Sequence, residues 1–249
     1  MDVGIVPSAL DAPGRIRDAV EAAGATCVDI SLDGDTEAIA DLLPATSDQA
    51  VRELATANVG VPILPIGTSR GFDPVPKNSL GDAIETIIAG DATPVQHPVV
   101  SVYVSEQPPV TAIREVTLMT EEPATISEFA IQSRNREIAE YRADGVVVAT
   151  PGGSPGYAHD AGGPILLPGS DALVAITVAP YRIDPDHWVL PSAPVTLTVT
   201  RDESAVVGFI DGNELGSIDT DVPVRVVPEN TFETMLVPQS SNQVSPVTD

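Results

Sequence analysis

Apolar residues change their period once along this chain, near Pro98, and that switch divides it into two kinds of structure. Before it, strand-like runs alternate with helical spacing. VGIV at 3–6 reads as a short buried strand, residues 12–23 set Ile16, Ala19, Val20 and Ala23 on one helical face, and ATCVDI at 25–30 returns to strand. This order predicts a βαβ opening. Further helices are predicted over 35–43, ended before Pro44, over 48–57 and over 79–89, closed by Gly90, with a proline-interrupted buried strand at 61–67.

Beyond Pro98 short strands follow one another at 99–105, 114–120, 128–133, 137–143, 146–150, 171–178, 194–201, 205–218 and 222–228, separated by Pro, Gly and Asp. Asp211–Gly212 falls between two apolar runs and predicts a hairpin turn. The expected fold is an α/β N-terminal lobe with a Rossmann-like parallel sheet (1–97), then a β-sandwich-like, mostly antiparallel C-terminal lobe (98–238). Residues 239–249 read as an unstructured tail.

Charge narrows the partners. There are 36 Asp and Glu against 12 Lys and Arg, a net charge of −24, and Lys77 is the single lysine. Such a surface repels nucleic acid and anionic lipid. The acids are scattered among apolar runs, unlike an acidic tail, and at molar salt the Debye length shrinks to about 3 Å, so their repulsion is screened. The chain therefore reads as halophilic. Cys27 is alone, no run approaches about 18 apolar residues, and MDVGIVPSALDAPGR lacks the basic and apolar regions of a signal peptide, so a cytoplasmic, soluble protein is expected. Three histidines, one cysteine and dispersed acids show no zinc or calcium spacing, and no metal ligands are assigned.

The most informative stretch is RADGVVVATPGGSPGYAHDAGGPI at 142–165. Physically it is a strand followed by a glycine-rich, backbone-exposing turn. Ser154 followed by Pro155 fits an N-cap and first helical residue, which would leave N–H groups facing outward for a phosphate or a ribose hydroxyl.

These residues resemble the signature of the NAD kinase family: DG, a strand, TPTGSTAY, then Ser, Ala and GGP. Asp144, Gly145, Thr150, Pro151, Gly153, Ser154, Tyr157, Ala161, Gly162, Gly163 and Pro164 match it. The likeness continues through SDALVAITVAPYRIDPDHWVLP and GFIDGNELGSI downstream, and through VPILPIGTSRGFDPVP upstream. The resemblance implies transfer of a phosphoryl group from ATP, with Mg²⁺, to the 2′-hydroxyl of the adenosine ribose of NAD. It also implies a homo-oligomer, dimer or tetramer, built through the second lobe. Asp144 and Tyr157 are implied to line the dinucleotide pocket, together with the turn residues Thr150, Gly153, Ser154, Pro155, Gly156 and Asp160.

Several positions depart from the pattern. The family's GGDGT motif, whose aspartate is taken as the base, is absent; PATSDQAVRELATANVG stands in its place, with Asp48 as the nearest carboxylate. Asp48 has two readings, replacement base or helix N-cap. Arg114 replaces an asparagine that contacts the nucleotide, beside a retained Glu115, and an arginine there suits a phosphate. Pro155–Gly156 replaces Thr-Ala, and Asp160 replaces a serine. His159 beside Asp160 reads as a surface pair, and His97 and His187 have no partner pattern. Three functions follow: a divergent kinase, an inactive paralogue serving as nucleotide sensor or assembly partner, and a ligand-free structural oligomer.

Overall fold

The structure, a computed structural model, describes residues 1–32, 40–58, 60–122, 125, 127–181 and 187–241. Its internal contacts divide the chain into two compact units, Met1–His97 with the segment from Thr231 onward, and Pro98–Asn230.

The first unit alternates β1 (Asp2–Ile5), α1 (Pro13–Ala22), β2 (Thr26–Asp29), β3 (Leu43–Ala45), α2 (Asp48–Ala57), β4 (Ile63–Pro65) and α3 (Leu80–Ala89). β1 runs parallel to β2, bridges in parallel to Leu42 just ahead of β3, and β3 runs parallel to β4. The spatial order is thus β2-β1-β3-β4. Val3, Ile5, Leu42, Leu43 and Leu64 are fully buried, as expected where helices cover a parallel sheet. Pro13 begins α1, where a missing N–H is harmless, and Ile16 and Val20 face the core. Ser47 caps α2 by accepting from Ala50 N at 3.1 Å, and Gly90 (φ 82°) closes α3.

The helix expected over 35–43 falls mostly on residues 33–39, outside the described residues. Its last residue, Leu43, opens β3, a strand too short and too uniformly apolar to show a period.

The second unit is a sandwich. One sheet runs β12-β11-β10-β7-β14-β15, all antiparallel, from β7 (Glu115–Thr120), β10 (Gly145–Ala149), β11 (Ala172–Val178), β12 (His187–Pro191), β14 (Val206–Ile210) and β15 (Asn213–Ile218). In the other, β13 (Val195–Arg201) lies between β8 (Ser127–Ser133) and the start of β16 (Pro223–Leu236), and β8 pairs with β9 (Arg136–Ala143). β5 (Thr93–Val104) pairs with β6 (Val110–Ala112). The remaining helix, α4 (Tyr157–Asp160), is a single turn. Val116, Leu118, Val146, Val148 and Leu173 of the first sheet share one core with Phe129, Ile131, Val195, Leu197 and Val224 of the second. The predicted hairpin forms at β14–β15, with Asp211 (φ 48°) and Gly212 (φ 79°) both left-handed.

The return of the chain differs from the sequence reading, which kept everything to residue 238 in the β lobe. β16 pairs with β13 through Val224 and Val226, yet its Thr234 pairs in parallel with Ile63, and Val237 packs in the first core. A continuous strand has no break in period to mark such a passage. Of the expected tail, Gln239 donates to Thr86 Oγ1 (3.1 Å) and Ser241 N to Pro74 O (2.9 Å); residues 242–249 lie outside the described residues.

Candidate functional site

The glycine-rich turn follows β10, and its geometry corrects the expectation of outward-facing amides. Thr150, 2% exposed, donates its N–H to Arg114 O (2.8 Å) and its hydroxyl to Ile113 O (2.7 Å). Gly153 N and Ser154 N both return to Thr150 O, Gly156 N to Gly153 O, His159 N to Gly156 O, and Gly163 N to Ala158 O. These N–H groups are satisfied within the turn, so this part of its backbone acts as a brace.

Ser154 is not the N-cap the sequence suggested, nor is Pro155 the first helical residue. α4 begins at Tyr157 behind Gly156. Ser154 is fully buried, donates to Pro151 O (2.9 Å) and accepts from Leu166 N (2.8 Å). Its partner lies twelve residues on, beyond the reach of any local capping rule.

Close packing explains the glycines. A Cβ on Gly153 would meet Glu115 Oε2 at 2.8 Å and come nearer still to the Arg114 carbonyl; one on Gly163 would meet Ala158 O at 2.8 Å. Gly156 differs, because its Cβ would meet the Arg114 guanidinium, Nη2 at 2.9 Å, with Glu115 Oε2 at 3.8 Å. Arg114 and Glu115 are largely buried, 15% and 13% exposed, with Nε 3.9 Å from Oε2. Two departures from the family pattern are thereby one structural event: the guanidinium occupies the place an alanine methyl at 156 would need.

Asp211 fixes this corner and was missed as more than a turn residue. Its carboxylate accepts from Ile113 N (3.0 Å), Arg114 N (2.8 Å) and Glu115 N (3.0 Å). Only the Asp-Gly pair was visible in the sequence; the three amides it binds lie about a hundred residues earlier.

At the other end of the β7–β10 pair, Met119 lies opposite Gly145. Asp144 is held there by its N–H to Val178 O (3.0 Å) and by accepting from Thr120 N (2.8 Å). Tyr157, 40% exposed, reaches back along the sheet so that its hydroxyl lies 3.8 Å from Met119 Sδ. Burial, and then the negative charge of Asp144, raise its phenol pKa. The structure thus gathers Arg114, Glu115, Gly153 and Gly156 at one end of this strip and Asp144 with Tyr157 at the other. Asp160 is exposed at the end of α4, and His159 Nδ1 closes the turn against Gly163 O at 3.0 Å.

Asp48 belongs to the first unit. It is the first residue of α2, after the Ser47 cap, and its two oxygens accept from Ser69 N (2.8 Å) and from the Ser69 hydroxyl. Two further groups of this unit are tuned by burial: the Asp73 carboxyl is pushed up to about 6, and His97 down to about 4. His97 stacks on Phe232 and meets Thr234 Oγ1 at 2.8 Å. Among the described residues no three His, Cys, Asp or Glu side chains converge as a metal site, and no helix is long and apolar enough to cross a membrane.

Comparison with known proteins follows the same lines. The family described as ATP-NAD kinase C-terminal domain matches residues 113–238. The NAD kinase of Methanosarcina acetivorans is 33% identical over 180 residues, 71% of this chain and 65% of that protein. That of Methanothermobacter thermautotrophicus is 31% identical over 155 residues, 61% of this chain and 54% of that one. The chain therefore spans less than two thirds of the length of these relatives. Among solved structures, an Archaeoglobus fulgidus NAD kinase in complex with ATP superposes with TM-score 0.65 at 20% identity, covering 94% of this chain and 92% of that one. Yeast NADH kinase complexed with NADH gives TM-score 0.69 at 17% identity, covering 86% and 66%. At those identities the likeness is one of fold.

Proposed function

This chain belongs to the ATP-NAD kinase family, and from that premise we propose that it transfers the terminal phosphoryl group of ATP to the 2′-hydroxyl of the adenosine ribose of NAD, releasing NADP and ADP. The observation that carries the reading is the strip along β7 and β10, where residues matching the family signature are assembled within the segment that the family covers.

In this reading Asp144 and Tyr157 contact the dinucleotide, while Glu115 offers a carboxylate to its N–H or O–H donors and Arg114 a guanidinium to a phosphate. Thr150, Gly153 and Ser154 hold the turn, and Pro155, Gly156 and Asp160 shape its rim. Phosphoryl transfer depends chiefly on positioning and charge, so such a scaffold supplies much of what the reaction needs. Mg²⁺ would screen the transferring phosphates. The described side chains do not build a resident cation site, so the ion would arrive on ATP, and no step is assigned to a protein-held metal.

Asp48 is the first-unit carboxylate proposed to take the hydroxyl proton. Its two bonds from Ser69 also give it a holding role. The reading extends to a cytoplasmic homo-oligomer, dimer or tetramer, working at high salt.

The test is NADP formation by the purified chain in concentrated KCl with NAD, ATP and Mg²⁺, beside calorimetric titration with NAD. NAD binding without NADP formation above a protein-free control would overturn the reaction. In Asp48→Asn, lost turnover at an unchanged melting temperature marks the proton acceptor, whereas loss of both marks the holding role alone.

A further inference from the structure

The hairpin turn between β14 and β15 holds more than a turn requires. Asp211 and Gly212 are both left-handed, and an Asn-Gly pair serves that geometry as well as Asp-Gly. What asparagine cannot do there is accept from three amides. A carboxylate is an acceptor on both oxygens, whereas the asparagine side chain replaces one of them with a donor. Asp211 Oδ2 accepts from Ile113 N (3.0 Å), and Oδ1 accepts from both Arg114 N (2.8 Å) and Glu115 N (3.0 Å).

The carbonyls of the same three residues are held as fully. Ile113 O accepts from the Thr150 hydroxyl (2.7 Å), Arg114 O from Thr150 N (2.8 Å) and Glu115 O from Asp211 N (2.9 Å). Two residues, one on the glycine-rich turn and one on the hairpin, thus take all six backbone donors and acceptors of 113–115. Any shift of this segment breaks several of these bonds at once. The side chains it carries, Arg114 and Glu115, are the pair proposed to face the dinucleotide, and they are 15% and 13% exposed. A guanidinium and a carboxylate on a fixed backbone meet a ligand without the ordering cost of a mobile loop. A role confined to completing the turn would leave the three amide bonds without a purpose.

We propose that Asp211 is a positioning residue for dinucleotide binding: through the amides of 113–115, with Thr150 bracing their carbonyls, it fixes Arg114 and Glu115 in the arrangement that receives NAD. This rests on the phosphotransferase reading above, in which those two side chains contact the dinucleotide.

Calorimetric titration of the full chain with NAD in concentrated KCl tests it in Asp211→Asn, Glu115→Gln and the double variant. Asp211→Asn keeps the turn and loses part of the grip, so NAD binding should weaken about tenfold. In the double variant the two losses should combine to clearly less than their product, because one change acts through the other. Weakening by the full product, as a general loss of structure would give, or an Asp211→Asn protein that binds NAD like wild type, overturns the proposal. Should Asp211→Asn fail to fold, Thr150 carries the test from the opposite side. Thr150→Val strips the hydroxyl from Ile113 O and should weaken NAD severalfold, while Thr150→Ser keeps it; equal NAD binding by both variants overturns the proposal too. Wild-type protein that binds no NAD sinks the kinase reading and this proposal with it, whereas NAD binding indifferent to Asp211 sinks the positioning role alone.

Discussion

The turn after β4 and the turn after β10 both depend on glycine, yet they use the missing side chain differently. At Gly67 the vacated volume is covered by the flexible stem of Lys77, and polar groups around it stay open to solvent. At Gly153 it is taken by the Arg114 carbonyl and at Gly163 by the buried Ile176 side chain and the Ala158 carbonyl, and the N–H groups of Gly153, Ser154, Gly156 and Gly163 fold back on the turn itself. The first arrangement leaves an exposed ion pair beside the turn; the second produces a braced platform that carries the exposed Tyr157 and Asp160 and packs against the largely buried Arg114–Glu115 pair. A glycine-rich sequence therefore does not by itself mean an anion cradle; what approaches each glycine decides.

The sharpest way to break this contrast is Gly153→Ala. The methyl would be driven into the Arg114 carbonyl, which cannot yield as the Glu115 carboxylate beside it can, so a loss of about 3 kcal/mol in denaturant unfolding is expected. A variant as stable as wild type would show that the platform is not closed. Ser154→Ala comes next: it strips a buried hydroxyl bonded to both Pro151 and Leu166, and about 1–3 kcal/mol should be lost.

Two buried groups sharpen the other side of the comparison through pH. His97 has a folded pKa of about 4, depressed by burial from 6.5, so its contribution is present above pH 6.5 and lost as pH falls toward 4. Asp73, in the loop after β4, is raised by burial from 3.8 to about 6; its contribution is present below pH 3.8 and lost as pH rises through 6. The slopes oppose each other across nearly the same window. Melting curves should therefore show Asp73→Asn losing stability more steeply than wild type on acidification from pH 6 to 4, and His97→Phe less steeply. Identical slopes in all three proteins would refute both assignments.

The smallest stability effect is expected at Gly156. An alanine there meets the end of the Arg114 side chain, which can move, and the Gly153 carbonyl at 3.2 Å, which need give by only a few tenths of an ångström, so about 1 kcal/mol should be lost. The displaced guanidinium should nevertheless weaken NAD binding, and adding Arg114→Asn should restore it. Strictly additive effects of the two changes would show that they are independent.

Much of the fold was legible in the sequence. α2 occupies the very residues expected, because Val51, Leu54 and Ala55 repeat at helical spacing, although its cap is Ser47 and not the Asp48 the sequence suggested, and the Asp211–Gly212 hairpin needed only two left-handed residues. β3 was not legible, since three buried residues around Pro44 carry no period. The membership of the signature was equally plain, but the work its residues do was not. Ser154 looked like a cap and is an internal staple, and Arg114 and Gly156 looked like separate changes and share one volume.

What the sequence alone determined, then, is the alternation of α/β and β regions, the acidic surface and the family signature, all set by periods and motifs confined to neighbouring residues. Tertiary structure alone decided that β16 ends in the first unit, that Asp211 grips the amides of 113–115, and that Lys77 lies over Gly67 beside Asp11. Each of these joins groups distant in sequence or fills a space only the folded backbone defines, and neither kind of fact has a local pattern to read.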